Sequence, residues 1–162
     1  MCIRDSAYGE YKGKGFYYRT QRADDKGQFE PFAWDENDVG KTPLKYFQKI
    51  VEFCKKNNIE LTCVTTTITP KAALDGVSEE TGRWFANLCS QNGVRYIDFN
   101  LVSLDELERT DDDFADWEGH MMGWMAEKYS EVLAKVIRGD NIRFYKDYQE
   151  YRMAYESRKG IK

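Results

Sequence analysis

The sequence lacks several features that would assign it to a functional class at once. It has no excess of basic residues: its 162 residues carry a formal net charge of −4. That balance disfavours a general nucleic-acid binder, since phosphate contacts need a positive surface. No apolar run approaches the ~18 residues of a membrane-spanning helix. The length and the ordinary shares of hydrophobic (41%) and charged (32%) residues predict one globular domain with a hydrophobic core.

Histidine and cysteine, the usual zinc ligands, are also scarce. The sequence has one histidine, and its cysteines beyond Cys2 are the widely spaced Cys54, Cys63 and Cys89. An odd number at this spacing gives neither a disulfide framework nor a zinc pattern, so we predict three small core residues. The acidic run 111–113 lacks the twelve-residue pattern and the glycine of a calcium loop. We therefore predict no metal and no cofactor.

The first six residues, Met-Cys-Ile-Arg-Asp-Ser, match the translation of a transposon-end adaptor used in sequencing libraries. We therefore predict that residues 1–6 do not belong to the natural protein, and we exclude them from inferences about the fold. On this interpretation the natural chain is truncated at its N-terminal side, and missing upstream motifs or targeting signals carry no information.

Residues 7–40 are rich in rings and glycines but show no clear periodicity. The rings are Tyr8, Tyr11, Phe16, Tyr17, Tyr18, Phe29, Phe32 and Trp34. We predict a long connection with one short strand at 15–19. Connections of this length inside a compact domain are usually functional or packed by their own side chains. The composition fits an ordered loop held by its rings, and it also fits a stacking surface for sugars or nucleotides.

Three long helices are predicted between residues 41 and 139. The first starts at Thr42-Pro43, a hydroxyl cap followed by proline at the first helical position. The second is capped by Ser78 and opens with two glutamates, which favour a first turn. The third carries an apolar stripe at helical spacing, runs to about Ile137 and is closed by Gly139. A shorter helix is predicted at 103–109.

The stretches 59–66 and 94–99 predict short strands of a parallel sheet, because they are rich in β-branched and aromatic residues. Two such strands joined by a helix form a right-handed crossover, with helices on both faces of the sheet. The predicted fold class is therefore α/β with a mostly parallel sheet. We assign residues 7–139 to this partial domain. Residues 140–162 form a tail, predicted as a peripheral helix from its tyrosine spacing.

Thr65, Thr66 and Thr67 leave the first strand at its C-terminal end, the edge at which open α/β sheets bind ligands. Their hydroxyl groups are candidates for contacting a substrate. The alternative is that they satisfy backbone groups of the loop.

His120 is the candidate general base. An imidazole titrates near neutrality, and it acts as a base when an acceptor holds its second ring nitrogen. Asp116 and Glu118 precede it by four and two residues, and either can be that acceptor. The nucleophile would come from another loop at the same sheet edge. A lone surface histidine beside solvated carboxylates would give the same local pattern.

Several different short motifs follow one another along the chain in the order in which one known family carries them. They are Gly15-Phe16-Tyr17-Tyr18, Val64-Thr65-Thr66-Thr67, residues 92–100, Phe114-Ala115-Asp116 and residues 120–130. With these motifs, residues 11–138 resemble the C-terminal part of SGNH/GDSL-type hydrolase-like proteins. Within these proteins, the nearest group is the one related to the D-alanyl-lipoteichoic-acid transfer protein.

The resemblance implies a flavodoxin-like, three-layer α/β/α fold and a Ser-His-Asp mechanism. In that mechanism His120 is the base and Asp116, or alternatively Glu118, holds its ring. Similar proteins hydrolyse or transfer acyl esters, often on cell-envelope carbohydrate, and many are membrane-anchored with the domain outside the cell. We therefore expect an acyl-ester or carbohydrate substrate, an extracytoplasmic location and no nucleic-acid partner.

The sequence departs from the family pattern at three places. The Gly-Asp-Ser nucleophile block is absent, since the family places it upstream of everything present here, so the chain alone is expected to be inactive. The family spacing Asp-x-x-His is one residue shorter than the spacing from Asp116 to His120, and Met122 and Met125 replace the usual Asn and Gly. Asp116 is favoured over Glu118 because it follows a phenylalanine as the family aspartate does.

These departures keep a second hypothesis open. In it, the chain is a non-catalytic α/β domain that binds a glycan or a protein partner. The binding surface would combine the aromatic loop 8–34 with the threonine edge.

Overall fold

The computed structural model of the chain describes residues 8–22 and 27–160. The predicted adaptor, residues 1–6, lies outside these ranges. The strands are β1 (Gly9–Gly13), β2 (Phe16–Arg19), β3 (Thr62–Thr65) and β4 (Arg95–Asp98). The helices are α1 (Lys41–Lys56), α2 (Pro70–Asp75), α3 (Ser78–Gln91), α4 (Gly123–Arg138) and α5 (Tyr148–Lys159). Across the described ranges, no helix combines the length and the apolar character needed to cross a membrane.

The central sheet of the described residues is a parallel pair. β3 and β4 run in register from Thr62 opposite Arg95 to Thr65 opposite Asp98. This confirms the α/β class and the parallel pairing predicted from residues 59–66 and 94–99. Both strands are shorter than predicted.

Side chains alternate between the two faces of this pair, and helices cover both faces. Val64 and Ile97 belong to the core cluster that includes the α4 side chains Met125, Tyr129, Val132 and Val136. Cys63 and Tyr96 point the other way, into a cluster with Val51 of α1 and Cys89 of α3. Cys54 and Cys89 are buried and Cys63 is half-buried, all three as free thiols, which confirms their prediction as core residues.

A second, antiparallel pair comes from the aromatic connection. β2 is the strand predicted at 15–19, and its partner β1 was not predicted. The hairpin rests on the start of α4: a Cβ added to Gly123 would lie 2.4 Å from the ring of Tyr18. This close approach ties the aromatic segment to the helix that follows the histidine loop.

Helix starts were predicted less well than helix ends. α1 begins at Lys41 after Gly40, so Thr42 is not its cap, and α3 begins at Ser78 itself after Val77. α2 was not predicted, although Thr69 caps it and Pro70 is its first residue. This pair, a hydroxyl cap followed by proline, is the same helix-start signal on which the prediction at Thr42-Pro43 was based. The end of α4 at Gly139 is confirmed, with this glycine in the left-handed region at φ 86°.

The helix predicted at 103–109 is wrong, because the chain forms only a turn there. The amides of Glu106 and Leu107 both donate to the carbonyl of Ser103. The carbonyl of Leu107 then accepts from the guanidinium of Arg109 instead of a later amide. A buried side chain therefore takes the acceptor that a continuing helix would need.

α5 lies in the predicted tail and contributes to the core. Tyr151 is fully buried and stacks on Tyr145 with ring centroids 5.5 Å apart. Arg152 forms an ion pair with Asp75 at the end of α2 (3.0 Å). Asp147 caps the start of the helix, and its side chain accepts from the amide of Glu150. α5 thus covers α2 and closes the second hydrophobic cluster of the protein.

Asp98, at the end of β4, is a half-buried carboxyl group of the central sheet. Its Oδ2 accepts a 2.8 Å hydrogen bond from the hydroxyl of Tyr148, and its Oδ1 accepts from the amide of Asn100 at 3.0 Å. Burial raises the pKa of Asp98 above its ordinary value of 3.8, even though these hydrogen bonds lower it. Burial likewise raises the pKa of Tyr148, so its hydroxyl remains a donor.

We expect the stability of the protein to depend on the ionisation of Asp98. Because the pKa of Asp98 is raised by folding, its contribution is fully present below pH 3.8 and is lost as the pH rises through the folded-state value. The loss amounts to about 1.4 kcal/mol for each unit of the pKa difference. Urea unfolding from pH 4 to 8 should show the wild type losing stability relative to Asp98→Asn. A gap that stays constant over this range would contradict the prediction.

Candidate active site

The histidine lies on a short loop whose two ends are joined by backbone hydrogen bonds. The amide of Ala115 donates to the carbonyl of His120 (2.8 Å), and the amide of Met122 donates to the carbonyl of Asp113 (2.9 Å). Phe114 and Met121 form an isolated antiparallel bridge between the same ends. Phe114, Ala115 and Met122 are buried, so the base of the loop is anchored in the core and its tip is presented outward.

Asp116 holds His120 by two contacts. Its Oδ2 lies 2.8 Å from Nδ1 of the imidazole, and its Oδ1 accepts from the backbone amide of His120 at 3.2 Å. The imidazole side chain is 60% exposed and that of Asp116 28% exposed. A carboxylate only accepts hydrogen bonds, so this pairing places the ring proton on Nδ1. The Nε2 lone pair is then available to accept a proton.

Gly119 fixes the approach of this loop to the central sheet. Its φ is +95°, a region that L side chains rarely adopt, and a Cβ there would lie 2.5 Å from Cγ2 of Ile68. Ile68 lies three residues after the C-terminal end of β3. The histidine loop therefore packs against the segment that leaves the sheet at its C-terminal edge.

The other predicted site residues have different environments. Glu118 is exposed, and the carboxylate that accepts hydrogen bonds from His120 is that of Asp116. The hydroxyl of Thr65 lies 2.6 Å from that of Tyr96, and Thr67 is fully buried with its hydroxyl 3.4 Å from the carbonyl of Ile68. Only Thr66 is exposed. Two of the three threonine side chains therefore face the protein interior.

A groove with a volume of about 720 Å³ adjoins the histidine loop. Trp117 and Glu118 of that loop line it, as does Ile68. The opposite wall comes from the aromatic connection, which contributes Gln28, Phe29, Glu30, Pro31, Phe32 and Ala33. The groove thus combines the exposed ring of Phe32 and the half-buried rings of Phe29 and Trp117 with carboxylate and amide groups. Asp116 and His120 belong to the same loop as Trp117 and Glu118 but do not line the groove.

The aromatic connection is fixed to the histidine loop by direct contacts. The indole nitrogen of Trp117 donates to the carbonyl of Gly27 (3.0 Å), and its ring contacts that of Phe29 edge to face with centroids 5.5 Å apart. The ordered-loop interpretation of this connection and the stacking-surface interpretation are therefore compatible, because rings that hold the loop also line the groove.

Sequence reasoning missed two buried polar residues that support the sheet edge. Asn100 lies two residues after the end of β4, and its Oδ1 accepts from the amide of Ile68 at 3.0 Å. Arg109 is 2% exposed and donates to the carbonyls of Asn100, Val102 and Leu107. The position of Asn100 just after a strand was the available signal for it. A single arginine in a polar stretch gave no signal for its burial.

Among the residues that the structure describes, no group of three or more His, Cys, Asp or Glu side chains is placed to hold a metal ion. The comparisons add no relatives: no protein-family model, no curated protein and no solved structure matches this chain.

Proposed function

We propose that the chain is part of an SGNH-like acyl-ester hydrolase or acyltransferase that acts on cell-envelope carbohydrate or polymer. The proposal includes a flavodoxin-like, three-layer α/β/α domain outside the cell, membrane-anchored in the longer protein, with a nucleophilic serine upstream of this sequence. The observation that carries it is the Asp116–His120 pair, whose geometry orients an exposed imidazole with Nε2 directed away from its carboxylate partner.

The chain's own residues have defined roles in such a reaction. The serine oxygen attacks the ester carbonyl while Nε2 of His120 takes the serine proton. His120 then gives that proton to the leaving alcohol, and an acyl-serine remains. In the second half the same nitrogen takes a proton from water or from an acceptor alcohol, which attacks the acyl group. The bond from the acyl carbon to the serine oxygen then breaks, and His120 returns the proton to that oxygen. Asp116 stabilises the imidazolium in both halves.

The orienting role of Asp116 is testable in this chain without the serine. His120 is the only histidine, so a two-bond ¹H–¹⁵N correlation spectrum reports its tautomer without overlap. We expect the neutral ring to carry its proton on Nδ1, and Asp116→Asn to shift the population to the Nε2–H form that free imidazoles prefer. Glu118→Gln is the matched control and should leave the tautomer unchanged. A wild-type ring that carries its proton on Nε2 would contradict the orienting role of Asp116.

The groove favours the second candidate, a domain that binds a glycan without catalysis. Aromatic faces with neighbouring carboxylate and amide groups suit sugar rings, which offer apolar C–H faces and hydroxyl donors. Calorimetric titration with soluble cell-wall glycan fragments should then show binding that Trp117→Ala weakens about tenfold. Trp124→Phe, which changes an indole outside the groove, should bind as the wild type does. Binding together with an Nε2–H tautomer would favour this candidate over the enzyme.

A further inference from the structure

Helix α1 is apolar on two of its faces, and the described core covers only one of them. Val51 and Cys54 are buried. Tyr46, Ile50 and Phe53, spaced by four and three residues, form a line on another face and are 58%, 52% and 62% exposed. Large side chains in such a line are seldom left in water without a binding role. We call these three residues the outer stripe.

The same helix has a concentrated positive charge. Its 16 residues include five lysines and one glutamate, a net charge of +4 that leaves −8 for the rest of the chain. Across the described ranges, the ion pairs formed by lysine and arginine use none of these five lysines. They are therefore available to an external anionic partner.

The lysines lie beside the outer stripe. At 100° per residue, Lys45, Lys49 and Lys56 fall within a narrow sector of the helix next to Tyr46 and Phe53, on the side away from Val51 and Cys54. The ammonium of Lys49 lies 5.2 Å from the ring centroid of Tyr46. The surface thus presents a row of apolar side chains with a row of cations along one flank.

The combination of apolar side chains and lysines on α1 favours one kind of partner over others. A second copy of the chain packed stripe to stripe would bring two helices of charge +4 together, which like-charge repulsion opposes. A soluble polyanion would engage the lysines but leave the rings and Ile50 in water. An anionic bilayer surface meets both needs, because it offers acyl chains to the stripe and lipid phosphates to the lysines.

We propose that α1 docks in the plane of an anionic phospholipid bilayer, with Tyr46, Ile50 and Phe53 entering the headgroup–acyl boundary and the flanking lysines contacting lipid phosphates. The contact uses none of the residues proposed for the chemistry at His120. It would hold one side of the domain against the membrane.

Vesicle co-sedimentation of the intact chain tests the proposal. We expect binding to vesicles with 30 mol% phosphatidylglycerol in phosphatidylcholine, little binding to pure phosphatidylcholine, and loss of binding in 0.5 M NaCl, where surface charges are screened. Lys45→Glu with Lys49→Glu should weaken partitioning at least about 25-fold, since each surface lysine contributes roughly fivefold. Ile50→Ser with Phe53→Ser should weaken it about tenfold or more.

The matched controls are two substitutions on α4, Lys128→Glu and Ile137→Ser. Lys128 is exposed and Ile137 is 65% exposed, and both variants should partition as the wild type does. Circular dichroism verifies that every variant folds. No partitioning, equal binding to neutral vesicles, or equal binding by the stripe variants would overturn the proposal. A dimer in sedimentation analysis that the stripe variants abolish would assign the surface to a second copy instead.

Discussion

Replacing Arg109 by methionine is expected to lower the free energy of unfolding by about 3 kcal/mol. The guanidinium is 2% exposed, donates to three backbone carbonyls and lies 4.9 Å from the ring centroid of Tyr151. Methionine fills much of the volume but donates nothing, so three carbonyls lose a donor at about 1 kcal/mol or more each. These carbonyls belong to the segment that follows β4. Asn100 in the same segment accepts a hydrogen bond from the amide of Ile68.

Urea unfolding monitored by tryptophan fluorescence measures the loss. Arg138→Met is the matched control, because that side chain is 62% exposed and its ion pair with Asp140 is a surface pair; we expect a change below about 0.5 kcal/mol. Arg109→Lys keeps the charge but not the planar fork of donors, and should fall between the wild type and Arg109→Met. If Arg109→Met unfolds at the same urea concentration as the wild type, the hydrogen bonds of the buried arginine do not contribute to the stability of the fold.

The largest effect on activity is expected at His120. In a longer protein that carries the nucleophilic serine, His120→Ala should lower kcat/KM for an acyl-ester substrate by about 10³-fold, since the substitution removes the proposed general base. Asp116→Asn should cause a loss of similar order by releasing the ring and its tautomer. Steady-state hydrolysis of a chromogenic acyl ester provides the measurement.

Glu118→Gln distinguishes the two candidate carboxylates. Glu118 lines the groove, so its replacement should change KM more than kcat, whereas Asp116→Asn should change kcat. A serine-reactive phosphonate probe gives an independent test, because it should label the wild type faster than His120→Ala. Equal labelling of the two would count against a base role for His120, and the glycan-binding candidate would then be preferred.

The fold was predictable where local chemistry and burial agree. The strand patterns at 59–66 and 94–99 produced the parallel pair β3–β4, and the glycine at the end of α4 produced a left-handed cap. Prediction failed where the burial of a polar side chain decides the backbone. The stretch 103–109 has helical composition, but the side chain of Arg109 is buried and donates to the carbonyl of Leu107. Composition does not indicate that this arginine is buried.

The site was predictable to a similar extent. The short range from Asp116 to His120 lies within one closed loop, so sequence proximity became a 2.8 Å contact. The threonines illustrate the opposite case, because alternation along β3 and the turn after it direct Thr65 and Thr67 inward. The groove required the packing of the aromatic connection against Trp117, a contact between residues about 90 positions apart that periodicity cannot reveal.

The closed loop that carries His120 has a consequence for how such a domain can change over evolutionary time. Its base is fixed by the core residues Phe114, Ala115 and Met122, while His120 and Glu118 at its tip are exposed. Substitutions at these exposed tip positions therefore remove little buried contact. Chemistry can be gained, lost or redirected at these positions with little change in folding, so catalytic and purely binding members could descend from one another on the same scaffold.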